Sequence, residues 1–187
     1  MKKVGLFFGT YNPVHVGHML IANYMVEFTN MDEVWMVVTP RNPFKQKDSI
    51  LKDYDRLHLM QLAIGDDIRL KASNIEFDLP QPNYTVDSLV YLKEKFPDKE
   101  FSLIMGADNL NHFHKWKNHE IILENHELYV YPRMDSNEGC DLKRHYKVNY
   151  AEAPAVRISS SFIRKAIKDG RNVQHYMPSK VSEYVAE

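Results

Sequence analysis

Short apolar runs alternate with longer amphipathic segments along this chain, and this alternation constrains the fold more than any other feature. The apolar runs span residues 4–8, 34–39, 101–106 and 127–131. In the segments that follow them, apolar residues recur with the spacing of a helix. Strands that alternate with helices predict an α/β fold, here a doubly wound, mostly parallel sheet with helices on both faces.

Proline and glycine indicate where these segments end. Pro40 and Pro43 predict a loop over 40–48, and Gly65 is expected to stop the helix predicted at 50–64. After Gly65 the pattern predicts a short strand at 68–70, helices at 85–96 and 111–124, a strand at 146–150, a helix at 159–169 that Gly170 stops, and a last helix from about Pro178.

The length of the chain favours one domain. Domains commonly run to about 50–250 residues, and the 187 residues show no internal repeat. We therefore expect a single domain over 1–187, with the C-terminal helical part, about 158–187, packed on the rest.

Composition excludes several classes of protein. The net charge is −1 and there is no long Lys/Arg block, which argues against a protein that coats nucleic acid. No apolar segment reaches the roughly 18–20 residues of a membrane span, and residues 9–13 interrupt the first apolar run too early for a secretion signal. Cys140 is the only cysteine, so no intrachain disulfide can form. We therefore expect a cytoplasmic protein in which Cys140 is a loop thiol.

The first predicted strand leads into a turn that is suited to phosphate. It reads Gly9-Thr10-Tyr11-Asn12-Pro13-Val14-His15-Val16-Gly17-His18 and precedes a helical pattern at 19–28. A helix start offers free backbone N–H groups and partial positive charge to an anion. Gly9 suits a tight turn, and Gly17 allows a flat ligand to approach the backbone. Since ligands of parallel α/β sheets bind at the carboxyl ends of strands, the turn predicts a nucleotide site.

His15 and His18 lie three residues apart, on one face of the predicted helix start. They form either a structural pair or a pair of donors that stabilise charge on a transferred phosphoryl group. The helix N-terminus disfavours a charged imidazole, whereas a bound phosphate favours it. The sequence therefore leaves the protonation of both rings open.

A second motif, Ile158-Ser159-Ser160-Ser161-Phe162-Ile163-Arg164, begins the helix predicted at 159–169. Capping alone explains serines at a helix start. Arg164, however, lies three residues after Ser161, on the same face and near the helix N-terminus. Backbone amides, hydroxyls and one guanidinium in this arrangement suit a triphosphate.

Together, the two motifs resemble those of the adenylyltransferase branch of the nucleotidyltransferase superfamily, whose fold is Rossmann-like. Tyr11 stands at the aromatic position of the first motif, and Ser161 stands where threonine is common in the second. Over essentially the whole chain the sequence is similar to the bacterial nicotinate-nucleotide adenylyltransferase family. Three middle segments carry this finer resemblance: 83–89, the pair 106–110 and 114–117, and 131–133.

The resemblance implies transfer of AMP from ATP to nicotinate mononucleotide, giving deamido-NAD and pyrophosphate, in NAD biosynthesis. The implied catalytic residues are His15, His18 and Arg164. The implied ATP-binding residues are Gly9, Thr10, Tyr11, Gly17, Lys45, Asp108, Ile158, Ser160 and Ser161. The implied acceptor-binding residues are Thr85, Gly106, Trp116, Lys117 and Arg133.

In the implied acceptor site, Trp116 stacks on the nicotinate ring. Backbone N–H groups near Thr85 and Lys117 receive the nicotinate carboxylate, and a helix start near Thr85 is a ready anion site. A core tryptophan and a capping threonine are the alternative interpretations.

The implied cofactor is Mg²⁺ that arrives with ATP, bound through phosphates and water without a dedicated protein site. Asp108 orients either ribose hydroxyls or a hydrated metal ion. Lys45 reaches phosphate by resemblance, although it and Lys47 also fit a solvated loop. The histidines at 112, 114, 119 and 126 match no closed zinc site.

Three alternatives remain for the activity. The acceptor can be nicotinamide mononucleotide or phosphopantetheine instead, or the chain can be a regulatory module that binds a nucleotide without turnover. A homodimer is a further expectation at the level of the family.

Overall fold

A single parallel sheet organises the computed structural model, which describes residues 1–41, 50–134 and 141–187. Its strands are β1 (Lys2–Gly9), β2 (Glu33–Val38), β3 (Leu70–Ser73), β4 (Lys99–Gly106), β5 (Leu128–Tyr131) and β6 (Val148–Tyr150). They lie in the order β3-β2-β1-β4-β5-β6, and every neighbouring pair is parallel. The strand order reverses between β1 and β4, which confirms the predicted doubly wound fold.

Seven α-helices cover the two faces of the sheet in the described residues. They are α1 (Val16–Phe28), α2 (Asp53–Ile64), α3 (Thr85–Lys95), α4 (Ala107–His112), α5 (His119–Asn125), α6 (Ser160–Lys168) and α7 (Ser179–Ala186). One apolar core contains Phe7 of β1 with side chains of α1, α2, α6 and α7. A second core contains Leu6 of β1 with side chains of α3, α4 and α5. Adjacent residues of a buried strand point to opposite faces, so β1 contributes to both cores.

The predicted helix at 111–124 is wrong. The chain instead forms α4, a 3₁₀ turn at Phe113–Lys115, and α5. Asn118, just before α5, has φ 51°, a left-handed conformation that interrupts an α-helix. Helix α4 begins directly after Gly106, at the end of β4. Residues 107–110 are therefore helical at the carboxyl edge of the sheet.

Two other boundaries differ from the prediction. The short strand begins at Leu70 rather than at 68, because Leu70 pairs with Val34 of β2 while Ile68 is 89% exposed. Helix α2 begins at Asp53 rather than at 50, because both backbone groups of Leu51 bond to side chains elsewhere. Its N–H donates to Asn12 and its carbonyl accepts from Arg56.

Part of the predicted loop at 40–48 lies outside the described residues, together with Lys45 and Lys47. Cys140 also lies outside them. Among the helices that are described, none has the length and apolarity needed to span a membrane.

Glu33 joins three strands at the amino end of the sheet. Its buried carboxylate bonds to the ammonium of Lys2 in β1, accepts from Trp35 Nε1 at 2.9 Å, and lies 3.6 Å from Lys71 Nζ in β3. Burial by itself would raise the pKa of Glu33. The donors from Lys2 and Trp35 and the charge of Lys71 outweigh burial, and the pKa is lowered.

We expect Glu33→Gln to lower the free energy of unfolding by about 1–3 kcal/mol at pH 7, because a charge-assisted set of hydrogen bonds is lost. A carboxylate whose folded pKa is lowered stabilises the protein above its unfolded pKa, and this contribution disappears as pH falls through the folded pKa. Urea unfolding at neutral and acidic pH measures the effect. Glu94→Gln on the exposed face of α3 is the control. A difference between Glu33→Gln and the wild type that stays constant with pH would contradict this expectation.

Candidate active site

The turn after β1 uses its aromatic side chain for its own structure. Tyr11 has φ 49°, and its hydroxyl donates to the carbonyl of Phe7 at 2.5 Å. Its ring is 3% exposed and lies against the end of β1, where a Cβ on Gly9 would approach it to 2.9 Å. Gly9 and the buried ring of Tyr11 therefore determine the conformation of the turn.

His15 and His18 together cap the N-terminus of helix α1, each accepting a hydrogen bond from the backbone N–H of the other. The backbone N–H of His15 donates to Nδ1 of His18 at 3.2 Å, and the backbone N–H of His18 donates to Nδ1 of His15 at 3.4 Å. The two rings stack with centroids 3.7 Å apart. A Cβ on Gly17 would lie 2.9 Å from the ring of His15, so glycine is required there for this stacking.

Both imidazoles are neutral at physiological pH. Burial, and then the charge of Arg133, lowers the pKa of His15 to about 4. Burial, the neighbouring His15 and Arg133 hold the pKa of His18 well below its ordinary value. A neutral imidazole carries one N–H, and Nδ1 of each ring is already an acceptor. In the protein without ligands, the proton of each ring therefore lies on Nε2.

A cavity of about 290 Å³ lies against this pair, and we call it the histidine cavity. Its walls come from the ends of three strands and from a distant segment. His15 and His18 follow β1, Asp108 follows β4, Arg133 follows β5, and residues 154–159 close the remaining side. The cavity therefore lies at the carboxyl edge of the sheet, beside the reversal of strand order, where ligands of such folds bind.

Asp108 and Arg133 meet in the histidine cavity. Arg133 Nε lies 3.6 Å from Asp108 Oδ1. That oxygen is buried and has no hydrogen-bond partner among the described residues. A Cβ on Gly106 would lie 2.5 Å from it, so the carboxylate fits over the end of β4 only beside a glycine. Asp108 Oδ1 can therefore accept a hydrogen bond from a ligand.

The late motif contacts the turn after β1 directly. Ser160 Oγ donates to the carbonyl of Pro13 at 2.8 Å. Arg164 donates to the carbonyl of Asn12 at 2.8 Å and to Ser161 Oγ at 3.2 Å. These contacts bind the first turn of α6 to the turn after β1.

Two residues that the sequence reasoning left without a role line the histidine cavity. Ser159 caps α6 by accepting from the backbone N–H of Phe162 at 3.1 Å, and Arg157 lies two residues before it. The capping position was a signal for Ser159, whereas nothing in the sequence distinguished Arg157. Of the predicted residues in the late motif, only Ile158 lines the cavity.

The predicted ATP-binding residues Gly9, Thr10, Tyr11, Ser160 and Ser161 are not among the residues that line the histidine cavity. Gly9, Thr10 and Tyr11 belong to the turn itself, and the carbonyl of Thr10 accepts from Arg56 at 2.7 Å. Lys45 lies outside the described residues.

A second cavity, which we call the Lys117 cavity, has a similar volume of about 290 Å³. It lies between residues 79–84, the start of α3, and Lys117. Lys117 Nζ is 3.1 Å from Asp87 Oδ2 and 4.6 Å from the centroid of the Tyr84 ring. These contacts bring Lys117 to the N-terminus of α3, as the acceptor hypothesis requires.

The other predicted acceptor-binding residues do not lie together in the Lys117 cavity. Thr85 is the first residue of α3, and the half-buried ring of Trp116 packs on Phe113 with centroids 5.2 Å apart. Neither is among the residues that line the Lys117 cavity. Arg133 lines the histidine cavity, and Gly106 lies next to Asp108 and Arg133 without lining it. The structure therefore places Arg133 and Lys117 in different cavities.

Comparison with known proteins places the chain in a family. Residues 6–166 match the model of the family described as cytidylyltransferase-like. A protein of Flavobacterium johnsoniae named "probable nicotinate-nucleotide adenylyltransferase" is 57% identical over 98% of this chain and 95% of its own length. A protein of the same name from Christiangramia forsetii is 53% identical over 100% of this chain and 96% of its own.

The fold also matches a solved structure. Nicotinic acid mononucleotide adenylyltransferase of Plasmodium falciparum, complexed with NaAD, superposes with a TM-score of 0.82 over 100% of this chain and 95% of its own, at 19% identity. At that identity the likeness concerns the fold. From the family model and the full-length relatives, the chain belongs to the cytidylyltransferase-like family and, within it, to the nicotinate-nucleotide adenylyltransferase family.

Proposed function

We propose that this chain transfers AMP from ATP to nicotinate mononucleotide, giving deamido-NAD and pyrophosphate, as a step of NAD biosynthesis in the cytoplasm. The observation that carries the chemistry is the stacked pair of His15 and His18, whose Nε2–H groups are left as donors at the edge of the sheet. The names of relatives 57% and 53% identical support the choice of acceptor.

The reaction is a direct displacement at the α-phosphorus of ATP. A phosphate oxygen of the mononucleotide forms the new bond, and the bond from the α-phosphorus to the bridging oxygen breaks. The electron pair of that bond leaves with pyrophosphate. The attacking phosphate is already ionised at neutral pH, so the step needs no general base. Positioning and charge stabilisation then supply the catalysis.

In this mechanism His15 and His18 donate from Nε2 to oxygens of the α- and β-phosphates. Their Nδ1 atoms are occupied by the backbone, so neither ring accepts the proton of a nucleophile. Arg133, which lines the same cavity, supplies positive charge that the neutral histidines lack. Donors that are already oriented stabilise developing charge without reorganising.

Ser160, Ser161 and Arg164 are the proposed contacts to the departing pyrophosphate. Arg164 uses two of its hydrogen bonds to fix the turn after β1 and Ser161. A guanidinium has five N–H donors in a planar fork, so one arginine can hold the turn and face a phosphate. Ser159 extends this group into the histidine cavity.

Mg²⁺ is the proposed cofactor, and the residues present fit an ion that ATP carries. No group of three or more His, Cys, Asp or Glu side chains suited to a metal occurs in the described parts of the chain. The buried Oδ1 of Asp108 lies 3.6 Å from Arg133 Nε and has no hydrogen-bond partner among the described residues. It suits one water of a hydrated ion, although it suits a ribose hydroxyl equally. When bound, the ion would neutralise part of the charge on the triphosphate.

The nicotinate carboxylate is proposed to bind at the start of α3, where Thr85 is the first residue and no side chain caps the helix. Lys117, which bridges to Asp87 across the neighbouring cavity, adds a cation nearby. This electrostatic environment favours a carboxylate over the neutral amide of nicotinamide mononucleotide. Trp116 would have to turn from Phe113 to stack on the ring.

We expect pyrophosphate release when purified protein is given ATP, Mg²⁺ and nicotinate mononucleotide. Release with nicotinamide mononucleotide should be weaker, release with phosphopantetheine absent, and chelation of Mg²⁺ should stop the reaction. A coupled phosphate assay with each acceptor in turn measures these rates. Absence of release with nicotinate mononucleotide would overturn the proposed function and leave a regulatory nucleotide-binding module.

Two substitutions at His18 separate its donor from its capping role. In His18→Asn the amide oxygen can replace Nδ1 as the cap acceptor, but no donor reaches the position of Nε2. In His18→Gln the amide nitrogen can replace the Nε2 donor. Loss of one such donor costs about 10²–10³ in kcat, so we expect that loss in His18→Asn and a smaller one in His18→Gln.

Steady-state kinetics with both substrates measure the effect of these variants, and KM should change little. His175→Asn, at an exposed histidine of a 3₁₀ turn, is the matched control. Equal kcat in His18→Asn and the wild type would show that the donor has no part in catalysis.

We expect the ring of His15 to titrate near pH 4 in the protein without ligands, and to carry its proton on Nε2 at pH 7. Its folded pKa is lowered, so the folded state stays neutral where the unfolded chain gains a proton. The free energy of unfolding should therefore fall as pH decreases from about 6.5 towards 4. Long-range nitrogen–proton NMR of the imidazoles reports tautomer and titration together. A midpoint near 6.5, or a proton on Nδ1, would refute the assignment.

A further inference from the structure

Arg56 has no exposed surface, and it is one of the largest fully buried side chains described. It lies in α2, outside both cavities, with its guanidinium at the carboxyl ends of β1 and β2. Neither of the two motifs contains it. Any role of Arg56 in catalysis rests on the proposed function.

The guanidinium of Arg56 binds three backbone carbonyls and one carboxylate. Nη1 donates to the carbonyls of Thr10 and Thr39, each at 2.7 Å. Nε donates to the carbonyl of Leu51 at 3.1 Å, and Nη2 to Asp53 Oδ1 at 2.6 Å. Thr10 follows β1 and Thr39 follows β2, so one side chain joins the ends of two central strands.

These contacts continue into the turn that carries the histidines. Leu51, held by Arg56, donates its N–H to Asn12 Oδ1 at 3.2 Å. On the other side, Arg164 donates to the carbonyl of Asn12. Residues 10–12 are thus held between a guanidinium from α2 and one from α6. Tyr11, between them, has the positive φ that turns the chain towards His15.

A role in stability alone explains Arg56 poorly. Taking a guanidinium out of water is costly, and a well-packed apolar side chain often stabilises a core as well or better. The planar guanidinium holds its N–H donors at fixed angles, so it can fix the positions of several acceptors at once. A lysine ammonium is a compact charge without such fixed geometry. Such fixed geometry is needed where a turn must orient hydrogen-bond donors towards a reacting group.

We propose that Arg56 is a positioning residue for adenylyl transfer, whose guanidinium fixes residues 10–12 so that His15 and His18 point their Nε2–H groups at the phosphates. It touches no substrate. Its effect on the reaction passes through the backbone of Thr10 and through Leu51 to Asn12.

The test compares Arg56→Lys with Met60→Ala. Met60 is also fully buried and lies four residues further along α2, but it belongs to the apolar core. Both variants should melt at a lower temperature than the wild type. Displacement of a donor by about 1 Å can cost about 10²-fold in rate. At a temperature where circular dichroism shows both variants folded, we expect kcat of Arg56→Lys to fall about 100-fold, with KM for both substrates nearly unchanged. Met60→Ala should keep the kcat of the wild type.

Chemical rescue provides a second measurement. Arg56→Ala leaves a hole of the shape of the lost fork, and guanidinium ion at millimolar concentration should restore part of its kcat. The same addition should not raise kcat of Met60→Ala. A purely stabilising role predicts equal kcat in folded Arg56→Lys and Met60→Ala, and no rescue.

The outcomes separate the two proposals. A wild type that releases no pyrophosphate from nicotinate mononucleotide and ATP overturns the proposed function. An active wild type with unimpaired kcat in Arg56→Lys overturns the positioning role alone. If neither Arg56 variant folds, Asp53→Ala decides, because Asp53 binds Arg56 and lies outside both cavities. Wild-type kcat in Asp53→Ala would then overturn the positioning role.

Discussion

Residues 11–15 of the turn between β1 and α1 are buried, and their polar groups must find partners within the protein. Buried backbone groups without partners are costly, so this requirement governs how the neighbouring elements pack. Arg56 binds the carbonyl of Thr10, Arg164 that of Asn12, and Ser160 that of Pro13. The histidines satisfy their own N–H groups reciprocally. Helices α2 and α6 are therefore bound to the same turn, whose His15, Gly17 and His18 line the histidine cavity.

The hydrogen bonds that satisfy this backbone also determine the electrostatics of the site. The nitrogens that cap α1 are the ones that could have served as bases, so capping leaves each ring with a donor only. Burial keeps both rings neutral, and Arg133 provides the charge in the same cavity. A site with oriented neutral donors and a nearby cation suits a reaction whose nucleophile is already ionised. It suits reactions that need proton abstraction less well.

Most of the architecture could be predicted from the sequence, because buried strands and amphipathic helices have different periods. The strands at β1, β2, β4 and β5 and the stops at Gly65 and Gly170 were predicted from that pattern and confirmed. The helix predicted at 111–124 failed, because nothing in the local pattern shows that Asn118 adopts a left-handed conformation. The strand predicted at 68–70 begins only at Leu70, because its bounds depend on pairing with β2. Both errors concern positions where tertiary contacts override local preference.

By itself, the sequence determined the fold class, the family and the presence of the two motifs, since these depend on residue types at short spacing. Only the tertiary structure decided the protonation of His15 and His18, the presence of Ser159 and Arg157 in the cavity, and the burial of Arg56. The reason is physical. A pKa depends on burial and on charges from other strands, and the contacts that fix the turn join residues 46 and 152 positions apart. No local pattern encodes such distances, so they exist only once the sheet has brought its carboxyl ends together.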